Sequence, residues 1–360
     1  MNAHDDGMRA GVKKLLRLTT LVLAVALGAE SGARLDDRLF EQIPFSANPS
    51  SDDLITRDPL GRHGTPYAHF KKWRLDNLGF RGPDVARVPT PGVPRILILG
   101  ASETFGLYES PEDEFPALLR RANPHLEIIN TAVVGMGLPS MTLYWQHRLS
   151  GLRPDEVIIY PSPLFYLADE SPASRPAAAL AGARPGAALR SRFLDRLRGT
   201  LHKPDFLQVR LDRRAVAAQL ATATPFSTVP IERLDTYQRE LEQLVEVIQA
   251  SGTTVVLVTH AVRFRGDEPN LENRFAVWEE RVYTPRADAK ILVAFNTAAN
   301  ERLRAVALAR HVRVLDVAAA VSGCDACFGD LVHFTDLGAQ RVAAAIQPAF
   351  SGAGPARAAN

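Results

Sequence analysis

A single serine, Ser102, stands where an apolar segment meets a turn of small residues. The segment RILILGASETFG covers Arg95 to Gly106, and its first half has the composition of a buried strand. Serine attacks a substrate only when a base takes its proton and fixed donors hold the oxyanion that forms. Ser102 is therefore a candidate nucleophile, provided that the chain supplies a base and such donors elsewhere.

Asp330 and His333, near the end of the chain, could supply the base. In the segment GDLVHFTDLG the aspartate stands three residues before the histidine, close enough to orient the imidazole ring. His333 would take the proton of Ser102 as general base, and Asp330 would fix the tautomer and stabilise the imidazolium. An Asp-x-x-His pair alone is weak evidence, because both residue types are common in polar loops.

Short apolar runs predict the strands that position these side chains. Such runs are typical of strands buried on both faces of a parallel sheet, and there are five of them: Arg95–Gly100, Leu126–Val133, Val157–Pro161, Thr253–His260 and Val312–Val317. Helical patterns lie between or after them, at Glu112–Ala122 behind a start signal at Ser110, Asp235–Ala250, Ala289–Arg310 and Arg341–Ile346. This alternation predicts a doubly wound, three-layer α/β/α sandwich that binds ligands at the carboxyl ends of its strands.

Three segments together resemble the SGNH/GDSL hydrolase family. Gly100–Gly106 is similar to its first block, with alanine where the family usually has aspartate, Asn130–Gly135 to its second and Asp330–His333 to its last. The resemblance covers roughly residues 95–346 and implies the flavodoxin-like SGNH fold, a catalytic set of Ser102, Asp330 and His333, and oxyanion donors in the backbone N–H groups of Ser102 and Gly135. It implies no metal and no diffusible cofactor, because the serine itself carries the acyl group.

The third block departs from the family pattern. That block ends in an asparagine whose amide is a further oxyanion donor, but here the strand Val157–Tyr160 is followed by PSPLF, and Leu164 takes the asparagine position. Loss of one such donor typically costs about 3 kcal/mol of transition-state stabilisation. Three explanations stay open: Ser162 or His260 substitutes, two backbone donors suffice, or the domain binds substrate without turning it over.

The amino terminus has the layout of an export signal or anchor. Arg9, Lys13, Lys14 and Arg17 precede the apolar run Leu18–Ala29. A stretch from Leu15 to Leu35 is long enough to cross a bilayer, and the alternative is a signal cleaved after Ala33 and a secreted product. Either interpretation places the rest of the chain outside the cytoplasm, in the periplasm or beyond the cell.

The remaining sequence suggests three parts. Residues 1–35 form the anchor or signal, residues 36–94 a linker with short strands or turns, and residues 95–350 the hydrolase-like domain, with an insertion at 171–231. The linker contains DNLGFRG, a segment that often precedes the serine block in membrane-anchored relatives, although a plain turn with an exposed arginine explains it equally well. The insertion becomes helical and basic, which favours a solvated surface helix, a membrane-surface helix or the wall of a groove for an anionic glycan.

Composition and cysteine usage restrict the partners and the compartment. The 42 basic and 40 acidic residues nearly cancel, which gives no signature of nucleic-acid binding, and a hydrophobic content of 46% is typical of a globular protein. Cys324 and Cys327 are the only cysteines, and outside the cytoplasm they are expected to pair as a disulfide. Free thiols, redox chemistry or a metal site are the alternatives.

The expected function is an ester hydrolase that acts through an acyl intermediate on Ser102. Water as acceptor would give a carbohydrate O-acetyl esterase, and a sugar hydroxyl as acceptor would give an O-acyltransferase; a lipid or small ester is not excluded as substrate. The alternative from another class is a non-catalytic carbohydrate-binding or polysaccharide-assembly protein on the same fold. The acyl donor, the acceptor and the oligomeric state do not follow from the sequence.

Overall fold

The computed structural model describes residues 3–40, 43–47, 50–169, 191–200 and 205–350. The chain divides into two units, one of Met1–Ser50 with Ala183–Lys203 and the other of Ser51–Gly182 with Pro204–Asn360. The strands in chain order are β1 (Ile55–Asp58), β2 (Gly61–Gly64), β3 (His69–Phe70), β4 (Trp73–Arg74), β5 (Arg95–Gly100), β6 (Glu127–Asn130), β7 (Glu156–Tyr160), β8 (Thr254–Val258) and β9 (Arg313–Leu315). The α-helices are α1 (Ala3–Phe40), α2 (Ser102–Phe105), α3 (Phe115–Ala122), α4 (Leu138–Tyr144), α5 (Arg192–Thr200), α6 (Asp205–Leu220), α7 (Ile231–Ala250), α8 (Phe275–Arg281), α9 (Ala289–Arg310), α10 (Val317–Val321) and α11 (Asp336–Ile346).

A five-stranded parallel sheet organises the larger unit, in the order β6-β5-β7-β8-β9. Alternate residues of each strand enter two different cores, because successive side chains point to opposite faces. Leu97 and Leu99 pack with residues of α4, α7 and α9, whereas Ile96 and Ile98 pack with residues of α3 and α11. The predicted three-layer α/β/α fold with a five-stranded parallel sheet is confirmed.

Element bounds differ from the prediction at the starts of three helices: α3 begins three residues later, α7 four residues earlier and α11 five residues earlier. Strand β5 has the predicted bounds, β7 has the predicted length but begins one residue earlier, and the other three strands are shorter than their apolar runs. Helix α3 begins at Phe115, not at Glu112, because Glu112 has a φ of +65° that a helix cannot accommodate. Ser110 does not start the helix, since its hydroxyl donates a hydrogen bond to Asp336 (2.7 Å) at the beginning of α11.

The predicted linker contains two antiparallel hairpins, β1–β2 and β3–β4. From Ser51 onward its residues belong to the larger unit. Phe80 and Val85 are buried in the core on the α7 side of the sheet, and Leu54 and Leu75 form a third, smaller core with Phe105 of α2. This part of the chain therefore packs directly against the turn that carries Ser102.

The smaller unit pairs the end of α1 with α5. Glu30 accepts hydrogen bonds from the hydroxyl of Ser191 (2.7 Å) and the backbone of Arg192, and Arg192 forms an ion pair with Asp37 (2.6 Å). Lys13–Phe40 is long and apolar enough to cross a membrane, by length and composition alone. Two parts of the predicted insertion, 171–190 and 201–204, lie outside the described residues.

Candidate active site

Ser102 is the first residue of the short helix α2, immediately beyond the end of β5 and Ala101. Its N–H therefore has no acceptor within the helix. The side chain is buried, and its hydroxyl donates a hydrogen bond to Oε2 of Glu103 at 3.2 Å. Helix α2 ends at Gly106 with a φ of +86°, where a Cβ would lie 2.6 Å from the Cβ of Glu114, so only glycine fits.

The structure brings Asp330 and His333 together in the loop before α11. Nδ1 of His333 and Oδ2 of Asp330 are 2.6 Å apart, and Oδ1 of the same carboxylate accepts the backbone N–H groups of Val332 and His333. Nδ1 must carry a proton to donate to a carboxylate, so Nε2 is the nitrogen left for catalysis. Among the residues that the structure describes, none hydrogen-bonds this buried Nε2.

Neighbouring charges determine the protonation of this pair. Burial alone would lower the pKa of His333, but the hydrogen bond and charge of Asp330, together with the charges of Glu103 and Glu280, raise it to about 9. Burial would raise the pKa of Asp330, but the hydrogen bond from His333, its charge and the two backbone N–H groups hold that pKa below its usual value. At neutral pH the pair is therefore an aspartate–imidazolium ion pair.

The second sequence block lies beside the serine turn. The side-chain amide of Asn130, at the end of β6, donates to the backbone carbonyl of Thr104 in α2 (3.1 Å), and its Oδ1 accepts the N–H of Ala132. The following turn contains Gly135, whose φ of +69° is in the left-handed region that favours glycine. Asn130 thus ties the turn of the predicted oxyanion donor Gly135 to the helix of the nucleophile.

The positions considered for the missing oxyanion donor have other contacts. Leu164 is 4% exposed and packs in the core, and the hydroxyl of Ser162 donates to Oε1 of Glu103 at 2.7 Å. His260 is fully buried, with Nε2 3.2 Å from Oε1 of Glu103 and Nδ1 2.7 Å from Oδ1 of Asn296. In this geometry Ser162 and His260 hold Glu103 and point no hydrogen at an oxyanion.

Glu103 and His260 form a buried pair next to Ser102, with side chains that are 3% and 0% exposed. The amide of Asn296 donates through Nδ2 to the His260 carbonyl (3.0 Å), so its Oδ1 must face Nδ1 of the ring. Both ring nitrogens of His260 then face oxygen atoms, one of Asn296 and one of Glu103. Burial would raise the pKa of Glu103, but the hydrogen bond and charge of His260 and the charge of His333 lower it to about 2.

Sequence reasoning missed Glu103, although a signal was present. A glutamate in the middle of a turn otherwise made of small and apolar residues must either face solvent or find a cation. Here the cation is His260, 157 positions along the chain, at the end of β8. The histidine itself was named as a candidate, but for a different role.

Arg81 of the DNLGFRG segment binds the end of the turn that carries Ser102. The side chain is 3% exposed, so the expectation of an exposed arginine in a plain turn is wrong. Its guanidinium donates to the backbone carbonyls of Phe105 and Gly106, lies over the Phe105 ring and forms an ion pair with Glu114 at 3.1 Å. Its own backbone N–H donates to the carbonyl of Asn130 (3.3 Å), so one residue links both blocks.

A disulfide between Cys324 and Cys327 precedes the loop that holds Asp330 and His333. It closes the 3₁₀ turn Asp325–Cys327, and the carbonyl of Cys327 accepts the N–H of Thr335, which caps α11. The bond therefore fixes the chain just before the loop that holds Asp330 and His333.

Helices α6 and α8 line an open groove of about 670 Å³ beside this loop. Its walls include four arginines and several aromatic rings: Arg210, Arg213, Arg263, Arg274, Phe206 and Phe264. Arg263 connects the groove to the loop of Asp330 and His333, because its backbone N–H donates to the carbonyl of Leu331 at 2.9 Å. Guanidinium groups beside aromatic faces suit a ligand with acidic groups and apolar sugar faces.

No protein-family model and no curated protein matches the sequence. Among solved structures, the chain is similar to a lipase/acylhydrolase from Enterococcus faecalis, with a TM-score of 0.44 and 16% identity over 74% of this chain and 100% of that one. It is also similar to a member of the lipolytic G-D-S-L family from Veillonella parvula (TM-score 0.43, 11% identity, 72% and 100% covered). An acetyl xylan esterase from Geobacillus stearothermophilus has a TM-score of 0.42 at 15% identity, with 73% and 96% covered.

Proposed function

We propose that this protein is a serine-dependent ester hydrolase of the SGNH type that acts through an acyl intermediate on Ser102. The observation that carries the proposal is Nε2 of His333, buried and unpartnered while Asp330 holds Nδ1. An imidazole held by a carboxylate on one side and left open on the other is the arrangement of a general base. The resemblance of three sequence blocks to the SGNH family agrees with it.

The reaction requires Ser102 to exchange one hydrogen bond for another. Its hydroxyl donates to Glu103 in the structure, and with a pKa of about 2 this carboxylate is too weak a base to take the proton. The proposed reaction requires the hydroxyl to leave Glu103, for example by rotation about χ1, and to donate to Nε2 of His333. His333 then accepts the proton as Ser102 attacks, and later returns it to the leaving alcohol.

The substrate we propose is an acylated carbohydrate outside the cytoplasm. Helix α1 and the Cys324–Cys327 disulfide support this location, because an apolar amino-terminal helix is typical of exported proteins and disulfides persist in oxidising compartments. The arginine-lined groove favours a sugar polymer with acidic groups. Transfer of the acyl group to a sugar hydroxyl shares the same intermediate and is the variant reaction to test second.

Hydrolysis of p-nitrophenyl acetate by the full-length protein in detergent tests the proposal. Wild type is expected to release p-nitrophenol, Ser102→Ala to give only the background rate, and Asp330→Asn to lose orders of magnitude because the wrong tautomer is favoured. Ser150→Ala is the matched control, since within the described residues the Ser150 hydroxyl hydrogen-bonds only the carbonyl of Gln146. Equal rates for wild type and Ser102→Ala would refute hydrolysis by this serine.

Two further outcomes separate the alternatives. Acylation of an added glycan, measured by mass, with little release to water would identify a transferase. Glycan binding by both wild type and Ser102→Ala, without ester loss or acyl transfer, would identify the non-catalytic carbohydrate-binding protein.

The rate is expected to depend on pH through His333. The base works only when neutral, and its raised pKa means that most molecules carry the imidazolium at pH 7. The value of kcat/KM should therefore rise with pH until about 9, after subtraction of the Ser102→Ala rate at each pH. A profile that is already flat above the usual histidine pKa of about 6.5 would contradict the charge arrangement described here.

A further inference from the structure

Arg62 is a buried cation for which the structure describes no counter-ion. It lies in β2, is 9% exposed, and its side chain forms no hydrogen bond or ion pair within the described part of the chain. Its Nε is fully buried and unpartnered. Buried charges in proteins are normally paired, so this guanidinium indicates an anion that arrives from outside the chain.

The guanidinium lies against the turn of the predicted oxyanion donor. A Cβ on Gly135 would be 3.2 Å from Nη2 of Arg62 and 3.6 Å from Nη1, so the fork of N–H groups covers this glycine. Glycine at this position lets the guanidinium lie close to the backbone, with no Cβ between them. An anionic oxygen bound by the N–H of Gly135 would therefore lie in the field of Arg62.

A second observation on the hairpin also indicates an anion. Arg57 stands directly opposite Arg62 in the β1–β2 register, and like charges at such positions repel each other. Burial and the charge of Arg57 lower the pKa of Arg62 to about 10, and the charge of Asp52 only partly opposes them. An anion beside Arg62 would relieve this repulsion.

We propose that Arg62 is the third oxyanion donor, in place of the family asparagine whose position Leu164 occupies. This inference rests on the proposed function. Oγ of Ser102 bonds to the acyl carbon, the π pair of the carbonyl moves to its oxygen, and the proton of Ser102 goes to Nε2 of His333. Arg62 and the N–H groups of Gly135 and Ser102 hold the resulting oxyanion. The electron pair then returns from the oxyanion to re-form the carbonyl. The bond between the acyl carbon and the alkoxy group breaks, and the alkoxy group takes the proton from His333.

The rate test compares Arg62→Met with Arg57→Met on p-nitrophenyl acetate, a neutral ester. Loss of an oxyanion donor is expected to lower kcat by about 100- to 1000-fold with little change in KM. Arg57→Met should stay near the wild-type rate, because Arg57 is exposed and stands on the neighbouring strand. Arg62→Lys should recover part of the rate, since it restores the charge without the fork of N–H groups. Equal thermal midpoints would show that the variants fold.

Two results would overturn the proposal. An unchanged kcat for Arg62→Met on the neutral ester would do so, and so would a loss confined to KM on mono-4-nitrophenyl glutarate, which would make Arg62 a receptor for a substrate carboxylate. Acetate binding to Ser102→Ala and to Ser102→Ala/Arg62→Met, measured by calorimetry, needs no turnover. Equal acetate affinity in the two proteins would reject the anion site itself, whether or not Ser102 proves to be a nucleophile.

Discussion

Replacing Glu103 with glutamine is expected to lower the free energy of unfolding by about 3 kcal/mol at neutral pH. The carboxylate accepts hydrogen bonds from Ser102, Ser162 and His260. Burial would raise the pKa of Glu103, but the hydrogen bond and charge of His260 and the charge of His333 lower it to about 2 from its usual value of 4.5. One pKa unit corresponds to about 1.4 kcal/mol, and removal of one partner of a buried ion pair costs about 3 to 5 kcal/mol. The pKa shift of Glu103 and the typical cost of breaking a buried ion pair therefore give the same magnitude for the loss of stability.

The sign of the pH dependence follows from the lowered pKa. Stability from Glu103 is fully present above its unfolded pKa of 4.5 and is lost as pH falls toward 2, because the unfolded chain takes up the proton first. Wild type should therefore lose this increment between pH 4.5 and 2, whereas Glu103→Gln should not. The measurement is urea unfolding at several pH values, followed by the fluorescence of Trp145, which is buried in the core.

A matched control and a double variant identify the cause. Glu112→Gln removes a carboxylate that is exposed and pairs with Arg120, so a change of about 0 to 1 kcal/mol is expected. His260→Ala should cost about as much as Glu103→Gln, and the double variant less than the sum, because the two residues satisfy each other. The pairing of Glu103 with His260 would be contradicted if the stability losses of the two single variants added up to that of the double variant. It would also be contradicted if the stability of wild type and Glu103→Gln depended on pH in the same way.

The same variant connects the buried pair to catalysis. The charge of Glu103 contributes to the raised pKa of His333. Its removal should therefore move the midpoint of the rate profile to lower pH, even if the maximum rate falls because Ser102 loses its acceptor. A merely structural role for Glu103 would leave that midpoint in place.

The sheet and the Asp330–His333 pair could be predicted because their signals are local. Five apolar runs identify five strands, and Asp330 stands three residues from His333, so the sequence itself brings them within reach. The start of α3 was wrong because the pattern does not reveal that Glu112 adopts a positive φ. Strand and helix periodicity reports burial, not the conformation of single loop residues.

The contacts of Arg62, Arg81 and Glu103 could not be predicted, because each of these residues meets residues that are distant in the sequence. Arg62 and Arg81 stand in a segment without helical or strand periodicity, and sequence analysis therefore assigned it to a linker. Arg81 meets Phe105 and Gly106 across 24 and 25 positions, and Glu103 meets His260 across 157. A charged residue that is to be buried needs a partner, but the sequence of one chain does not say which.

Replacing Arg81 with methionine is expected to destabilise the protein by about 3 kcal/mol and to reduce hydrolysis. The variant removes the Arg81 donor from the buried carbonyl of Phe105, at about 1 to 3 kcal/mol, whereas the carbonyl of Gly106 keeps the hydrogen bond from the indole N–H of Trp73 (3.1 Å). It also leaves Glu114 without its cation, but burial already raises the pKa of this carboxyl, so it can take up a proton and limit the cost. The carbonyls lie at the end of α2, so the turn that positions Ser102 should loosen.

Urea unfolding and kcat measure the two effects, with Arg121→Met as the control. Arg121 is exposed and pairs with the equally exposed Asp113, so its loss should change stability by about 0 to 1 kcal/mol and leave kcat near the wild-type value. Arg81→Lys should recover little, because an ammonium group lacks the planar fork that serves two carbonyls and a carboxylate together. If Arg81→Lys matched wild type in both measurements, Arg81 would act through its charge and not through the hydrogen bonds to the serine turn. A stable Arg81→Met variant with unchanged kcat would show that Asn130 alone suffices to hold that turn.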